Sequence, residues 1–275
     1  MNSGRPASIP SNLGRRGRLK AGCSVVTVED PGSLAAERRA ALIEGLVRAS
    51  ALAFGSETAP IWHERLAHGW FEGLSRLYLI LGPDDRLIGW TAYRAALLRR
   101  RRCLYMDSTG VVPEFQRHGL IPAVQMGAAR RELIRSPLRP LFLFYRTRNP
   151  VVYRGLARTL GSGNVSPPLE GLPQVDMQRL GEAAHTWIDD QFDFDPEQLV
   201  VRGVYARGAP LYGEDQEPRS GDAAVDRLFE RSLGEEDAFL IIARVSMPRL
   251  ALDPLARMAR RLVSGDRRGL ERGAG

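Results

Sequence analysis

Apolar residues fall in short runs divided by Gly, Pro and charged clusters, and the spacing within each run predicts its conformation. CSVVTVED (23–30) is short and β-branched, which predicts a strand. Leu34, Leu42, Leu46 and Leu52 keep helical spacing over 33–54, and Trp62, Leu66 and Trp70 predict a second helix over 59–73. RLYLILG (76–82), RLIGWTAYRAAL (86–97) and RCLYMDSTGVV (102–112) predict three strands, the first two joined by a turn at Pro83-Asp84-Asp85. A helix is expected over 119–135, then a strand at 141–145. A helix opens at Pro150, where a missing N–H costs nothing, and ends near Gly161. SGNVSPPLEGLP (162–173) reads as a loop. Further expectations are a helix at 175–189, a strand at 199–205, a helix at 222–233, a strand at 238–245 and a basic helix from Asp253. There is no internal repeat. This order predicts an α/β fold: a mixed sheet with helices on both faces.

The totals narrow the class. At 275 residues, with 44% hydrophobic and 26% charged content, the chain suits one large or two small globular domains. No apolar run reaches the roughly 18–20 residues of a membrane-spanning helix. Residues 1–22 have no apolar stretch behind their charges, so they read as a disordered basic tail and not a secretory signal. Two cysteines, Cys23 and Cys103, make neither a disulfide framework nor a CxxC pair. His63, His68, His118 and His185 lack metal-ligand spacing, so no metal is expected. The setting expected is reducing and cytoplasmic. The net charge is +7 and Lys20 is the only lysine. Arginine suits planar anions, but GC-rich codon usage gives the same bias, which weighs against nucleic acid.

Residues 111–125, VVPEFQRHGLIPAVQ, change the picture. An apolar stretch meets a proline, then a basic turn with a glycine, then a helix. Backbone N–H groups at such a helix start converge, the dipole adds positive charge, and a phosphate fits there. Gly119 lets a ligand approach the backbone. Gln116, Arg117 and His118 add donors, and Pro122 lacks only a spare one. The stretch from Val111 to Leu120 resembles motif A of the GCN5-related N-acetyltransferase (GNAT) superfamily, in which V-x-P precedes [RQ]-x-x-G-x-[GA]. The resemblance is best over 76–161, extends back to residue 23, and is thin after 162. It implies a mostly antiparallel sheet of the acyl-CoA N-acyltransferase fold. It also implies a pyrophosphate held by Gln116, Arg117, His118, Gly119, Leu120 and Ile121, and a pantetheine arm paired with the main chain of Val111 and Val112. Ile121 departs from the family's small residue and narrows the room beside the phosphates. Asn149 matches an asparagine that contacts the cofactor arm. The family's proton-donating tyrosine falls on Leu156; Tyr153, one turn earlier, either replaces it or packs.

Amide formation from a thioester needs a neutral amine, a route for its proton, and donors for the oxyanion. Asp107 is the candidate base, flanked by Leu104, Tyr105 and Met106; the alternative is that it caps a bulge with Ser108 and Thr109. Ser108 lacks the frame of a nucleophile. Trp62, His63 and Trp70 either line the acceptor site or belong to the core. Arg99 to Arg102 form either a solvated hairpin that blocks edge pairing or a clamp for an acidic acceptor or nucleic acid.

The expectation is a basic tail (1–22), one acyltransferase domain (23–250, extended from 162) and a basic C-terminal segment (251–275). Its activity would be acetyl transfer from acetyl-CoA, without a metal, to an amine of a small molecule or peptide. A homodimer is left open. The rivals are a CoA-binding module without turnover and a nucleic-acid-associated basic protein.

Overall fold

Strand β6 (Leu141–Thr147) shows how the pattern becomes a layered core. Leu141, Leu143 and Tyr145 face one side of the sheet and Phe142 and Phe144 the other, all buried. A run buried on both faces needs no polar alternation, and burying each such side chain contributes about 2 kcal/mol. The computed structural model describes residues 13–205 and 218–247.

Among the described residues, ten strands form one sheet: β1 (Arg15–Arg18), β2 (Ser24–Glu29), β3 (Arg76–Leu81), β4 (Leu87–Leu98), β5 (Arg101–Val111), β6, β7 (Val165–Ser166), β8 (Phe194–Asp195), β9 (Val200–Val201) and β10 (Ala238–Val245). Their spatial order is β1-β2-β3-β4-β5-β6-β10-β9-β8, with β7 beside β10. Every pairing is antiparallel except β5 with β6. Helices α4 (Leu120–Ile134), α5 (Pro150–Leu160) and α7 (Ala223–Ser232) cover one face. The other carries α1 (Ala36–Phe54), α2 (Ala59–Ala67) and α3 (Trp70–Gly73) over β2–β4, and α6 (Val175–Ile188) over β5, β6 and β10. The sheet is thus mixed, mostly antiparallel and flanked on both faces.

Several expectations need correction. The tail expected over 1–22 contains β1, whose residues 15–18 pair with 24–27 of β2 although all four are exposed. The helix expected over 59–73 is two, broken where Gly69 takes φ +67. The loop at 162–173 holds a 3-10 turn and β7. The strand expected at 199–205 is only Val200–Val201, and β8 before it was not foreseen. The segment from Asp253 lies outside the described residues.

Candidate functional site

The parallel pair β5 and β6 is laddered over four positions, Arg102 to Tyr105 against Leu141 to Phe144. Beyond them β5 continues to Val111 and β6 to Thr147, and the ladder stops. The cause is local. Tyr93 of β4 opposes Met106 and Thr91 opposes Thr109, so β5 carries an extra residue at Asp107-Ser108. Such a bulge bends its strand, here away from β6.

The opening exposes main chain. Val112 donates to the Ile88 carbonyl at 2.8 Å, which marks a hydrogen-bonded pair of the β4–β5 ladder. By antiparallel alternation, Val111 opposite Gly89 and Thr109 opposite Thr91 turn their N–H and C=O away from β4, into the gap. Beneath it runs a polar bridge. The Gln125 amide of α4 donates to Thr91 (3.2 Å) and Thr109 (3.3 Å) and accepts from the Tyr145 hydroxyl of β6 at 3.3 Å.

At the end of this gap, α4 begins. Pro113–Phe115 make a 3-10 turn, and Arg117 (φ 64) and Gly119 (φ 71) adopt left-handed conformations. The N-cap of α4 is Gly119, which has no side chain to cap it, and at a helix start the N–H groups of Gly119, Leu120 and Ile121 lack intrahelical acceptors. A Cβ on Gly119 would meet nothing within 4 Å, so the space above it is open. Gln116, Arg117 and His118 are exposed there; His118 Nδ1 lies 3.0 Å from the Gln116 carbonyl. The Gln116 amide reaches the Val111 carbonyl at 3.3 Å. The Ile121 side chain packs against the core cluster, which directs its bulk toward the sheet.

No protein-family model and no curated protein matches this chain. Solved structures do. A GNAT family N-acetyltransferase, YhbS, from Escherichia coli in complex with CoA is 14% identical over 41% of this chain and 61% of its own, with a TM-score of 0.31. This chain thus spans less than two thirds of that relative. A ribosomal-protein alanine N-acetyltransferase of Escherichia coli is 14% identical over 81% of this chain and 95% of its own, with a TM-score of 0.40. Spermidine N-acetyltransferase SpeG of Vibrio cholerae is 12% identical over 50% and 78%, at 0.31. Likeness of this degree carries no functional weight, and the chemistry rests on the geometry.

On the α1–α3 side of the gap stands a charged cluster. The Asp107 side chain is 5% exposed. Its Oδ1 accepts from Arg65 at 3.0 Å and from the Trp70 indole at 2.8 Å. Arg94 Nε lies 2.7 Å from Oδ2, an ion-pair contact without hydrogen-bond alignment. Both oxygens are engaged, so Asp107 is poorly suited to be a base; nor does it cap Ser108, which accepts from the Trp90 indole at 2.9 Å. Arg146 of β6 lies 3.4 Å from Asp189 and stacks on Phe192. Tyr105, at the last rung before the gap, is buried with Arg146, Asp107, Arg65 and Arg94 as its charged neighbours; burial pushes its phenol up.

Tyr153 is corrected. It is fully buried, its hydroxyl donates to the Pro167 carbonyl at 2.8 Å, and burial pushes it up to about 12. That is a packing residue. Val112 is corrected as well: its N–H serves Ile88 and its carbonyl serves Phe115, so neither faces a ligand. The Asn149 side chain caps α5 through the Val151 N–H at 2.9 Å, a structural use of its oxygen. Trp62 and Trp70 are core and His63 is exposed. Sequence reasoning missed Thr109, Gln125 and Tyr105. The strand parity from Val111 could have found Thr109; for the other two no sequence signal exists, because they matter only once β6 and α4 are placed.

Proposed function

We propose that the protein is an acyl-CoA-dependent N-acyltransferase of the GNAT kind, acetylating an amine of a small molecule or peptide. One observation carries this reading: two central parallel strands part beside an uncapped, glycine-led helix start. The strand edge at Thr109 and the N–H of Val111, whose carbonyl accepts from Gln116, suit an extended pantetheine arm added as a strand. The N–H groups of Gly119, Leu120 and Ile121 suit its pyrophosphate. Acetyl-CoA supplies a thioester carbonyl for the amine to attack. The residues present fit that group.

The amine enters from the side of Asp107, Arg65, Arg94 and Arg146. Asp107 fixes the two arginines that wall this approach and acts as a positioning residue, so the proton of the amine passes to water; the C–N bond forms, the C–S bond breaks as the tetrahedral intermediate collapses, and the CoA thiolate leaves and takes a proton from water. Strand-edge N–H groups turned into the gap are donors for the oxyanion. A second reading has a specific observation behind it: Tyr153 and Asp107 are both engaged in structure, as in a CoA-binding module without turnover.

Calorimetric titration with acetyl-CoA, beside the Gly119→Glu variant, tests the binding claim. Saturable binding, abolished in the variant, is expected, because a carboxylate would face the phosphates. Unchanged affinity in the variant removes the site. A panel of amines screened by thiol release then separates the two readings: release supports the enzyme, and binding without release on any amine supports the module.

A further inference from the structure

The far end of the sheet carries a second site. Arg102 and Val111 are nine residues apart on β5, about 30 Å at the strand rise. Around Arg102 a cleft of about 820 Å³ opens between the β4–β5 hairpin, the turn after α4 and the start of α6. Arg100, Arg101, Arg102, Arg139 and Arg244 all line it. Two are committed: Arg102 to buried Glu132 at 2.6 Å and Arg101 to Asp176 at 2.8 Å. Arg100, Arg139 and Arg244 are exposed and have no carboxylate partner among the described residues.

The rim is apolar. Leu97 lines the cleft and is 67% exposed; Leu138, between the lining residues Ser136 and Arg139, is 97% exposed; Val175, between Gln174 and Asp176, is 59% exposed. Exposed large apolar side chains gathered at one place mark an interaction site. Unpaired arginines mark the sign of what binds, because their fork of donors matches carboxylate pairs. The segment that follows β10, residues 248–275, has seven arginines against three acids, so charge excludes it as the occupant.

We propose that this cleft docks an acidic segment of a partner protein, with carboxylates on Arg100, Arg139 and Arg244 and leucine-like side chains on Leu97, Leu138 and Val175. An acidic segment that carries leucines uses both halves of the surface, the exposed arginines and the apolar rim. The site stands apart from the cofactor gap and does not depend on the acyltransferase reading.

Fluorescence anisotropy tests it on the full chain, with a labelled peptide of glutamate and leucine and a twin carrying lysine for glutamate. The acidic peptide is expected to bind, the lysine twin to fail, and the Arg139→Ala/Arg244→Ala variant to lose at least tenfold in affinity. Leu138→Ser is expected to weaken binding at high salt, where charge is screened. Both changes are at exposed positions, and an unchanged melting temperature shows that the fold is intact. Equal binding of the twin, or full affinity in the double arginine variant, overturns the proposal. So does a preference for phosphatidylglycerol vesicles or single-stranded RNA over the acidic peptide.

Discussion

Three residues near the gap carry different kinds of constraint. Gly119 has φ 71 with open space where a Cβ would stand. Gly119→Ala is therefore expected to cost about 1 kcal/mol of stability from the left-handed backbone alone and to keep acetyl-CoA affinity, whereas Gly119→Glu loses it. Comparing thermal melts with titrations of both variants separates strain from charge. Tyr153→Phe leaves the Pro167 carbonyl without its donor; stability should fall by about 1 kcal/mol while any pH profile of acyl transfer stays put. A shifted profile would return Tyr153 to the chemistry. Asp107→Asn removes the charge shared by Arg65 and Arg94. Denaturant unfolding should show a loss of roughly 2 kcal/mol, and acetyl-CoA affinity should be unaffected.

At the scale of elements, the β4–β5 hairpin sets shape against charge. Leu98 pairs with Arg101, so Arg99 and Arg100 form a two-residue loop with φ 46 and φ 62. That geometry favours Asn-Gly. Replacing the pair, Arg99→Asn with Arg100→Gly, is expected to raise stability by roughly 1 kcal/mol, a melting shift of about 2–4 °C, and to weaken acidic peptide binding. No rise in melting temperature would show that the loop is not strained. The long elements were legible because their apolar periods were long: β3 to β6, α1, α4, α5 and β10 all stand where the pattern placed them. Elements without a period of their own were not. β1 is four exposed residues, Arg-Arg-Gly-Arg, held by the ladder to β2. The two-residue strands β7, β8 and β9 exist because partners hold them. At the site, the sequence located the glycine turn, which is local. It left Asp107 and Tyr153 with two readings each, because their partners are 42 and 14 residues away.

The whole molecule buries many weak acids. Burial pushes the Cys103 thiol up from 9.0 to about 12 and the Tyr153 phenol up from 10.0 to about 12, and moves Tyr78, Tyr93, Tyr105 and Tyr145 in the same direction. Below about pH 8 these groups keep their protons folded or unfolded and contribute little slope. From about pH 8, where the unfolded Cys103 thiol begins to ionise, to about pH 12 the unfolded chain releases protons that the fold retains, so stability falls as pH rises. Urea midpoints at pH 8, 10 and 11 should decline in that order; a constant midpoint would contradict the burial of these groups. Among the described residues no helix is long and apolar enough to cross a membrane.

The four-rung joint between β5 and β6 also falls at a boundary in the chain. Everything on one side of it, β1 to β5 with α1 to α4, precedes the turn at 135–140, and β6 to β10 with α5 to α7 follow. A gene divided at that turn would encode two fragments, each bringing one wall of the gap between β5 and β6. Their reunion would rest on α4 packing over both walls and on whatever fills the space between them. Coexpressed halves that assemble more readily as acetyl-CoA is added would act as a genetic reporter of occupancy, one that needs no acceptor.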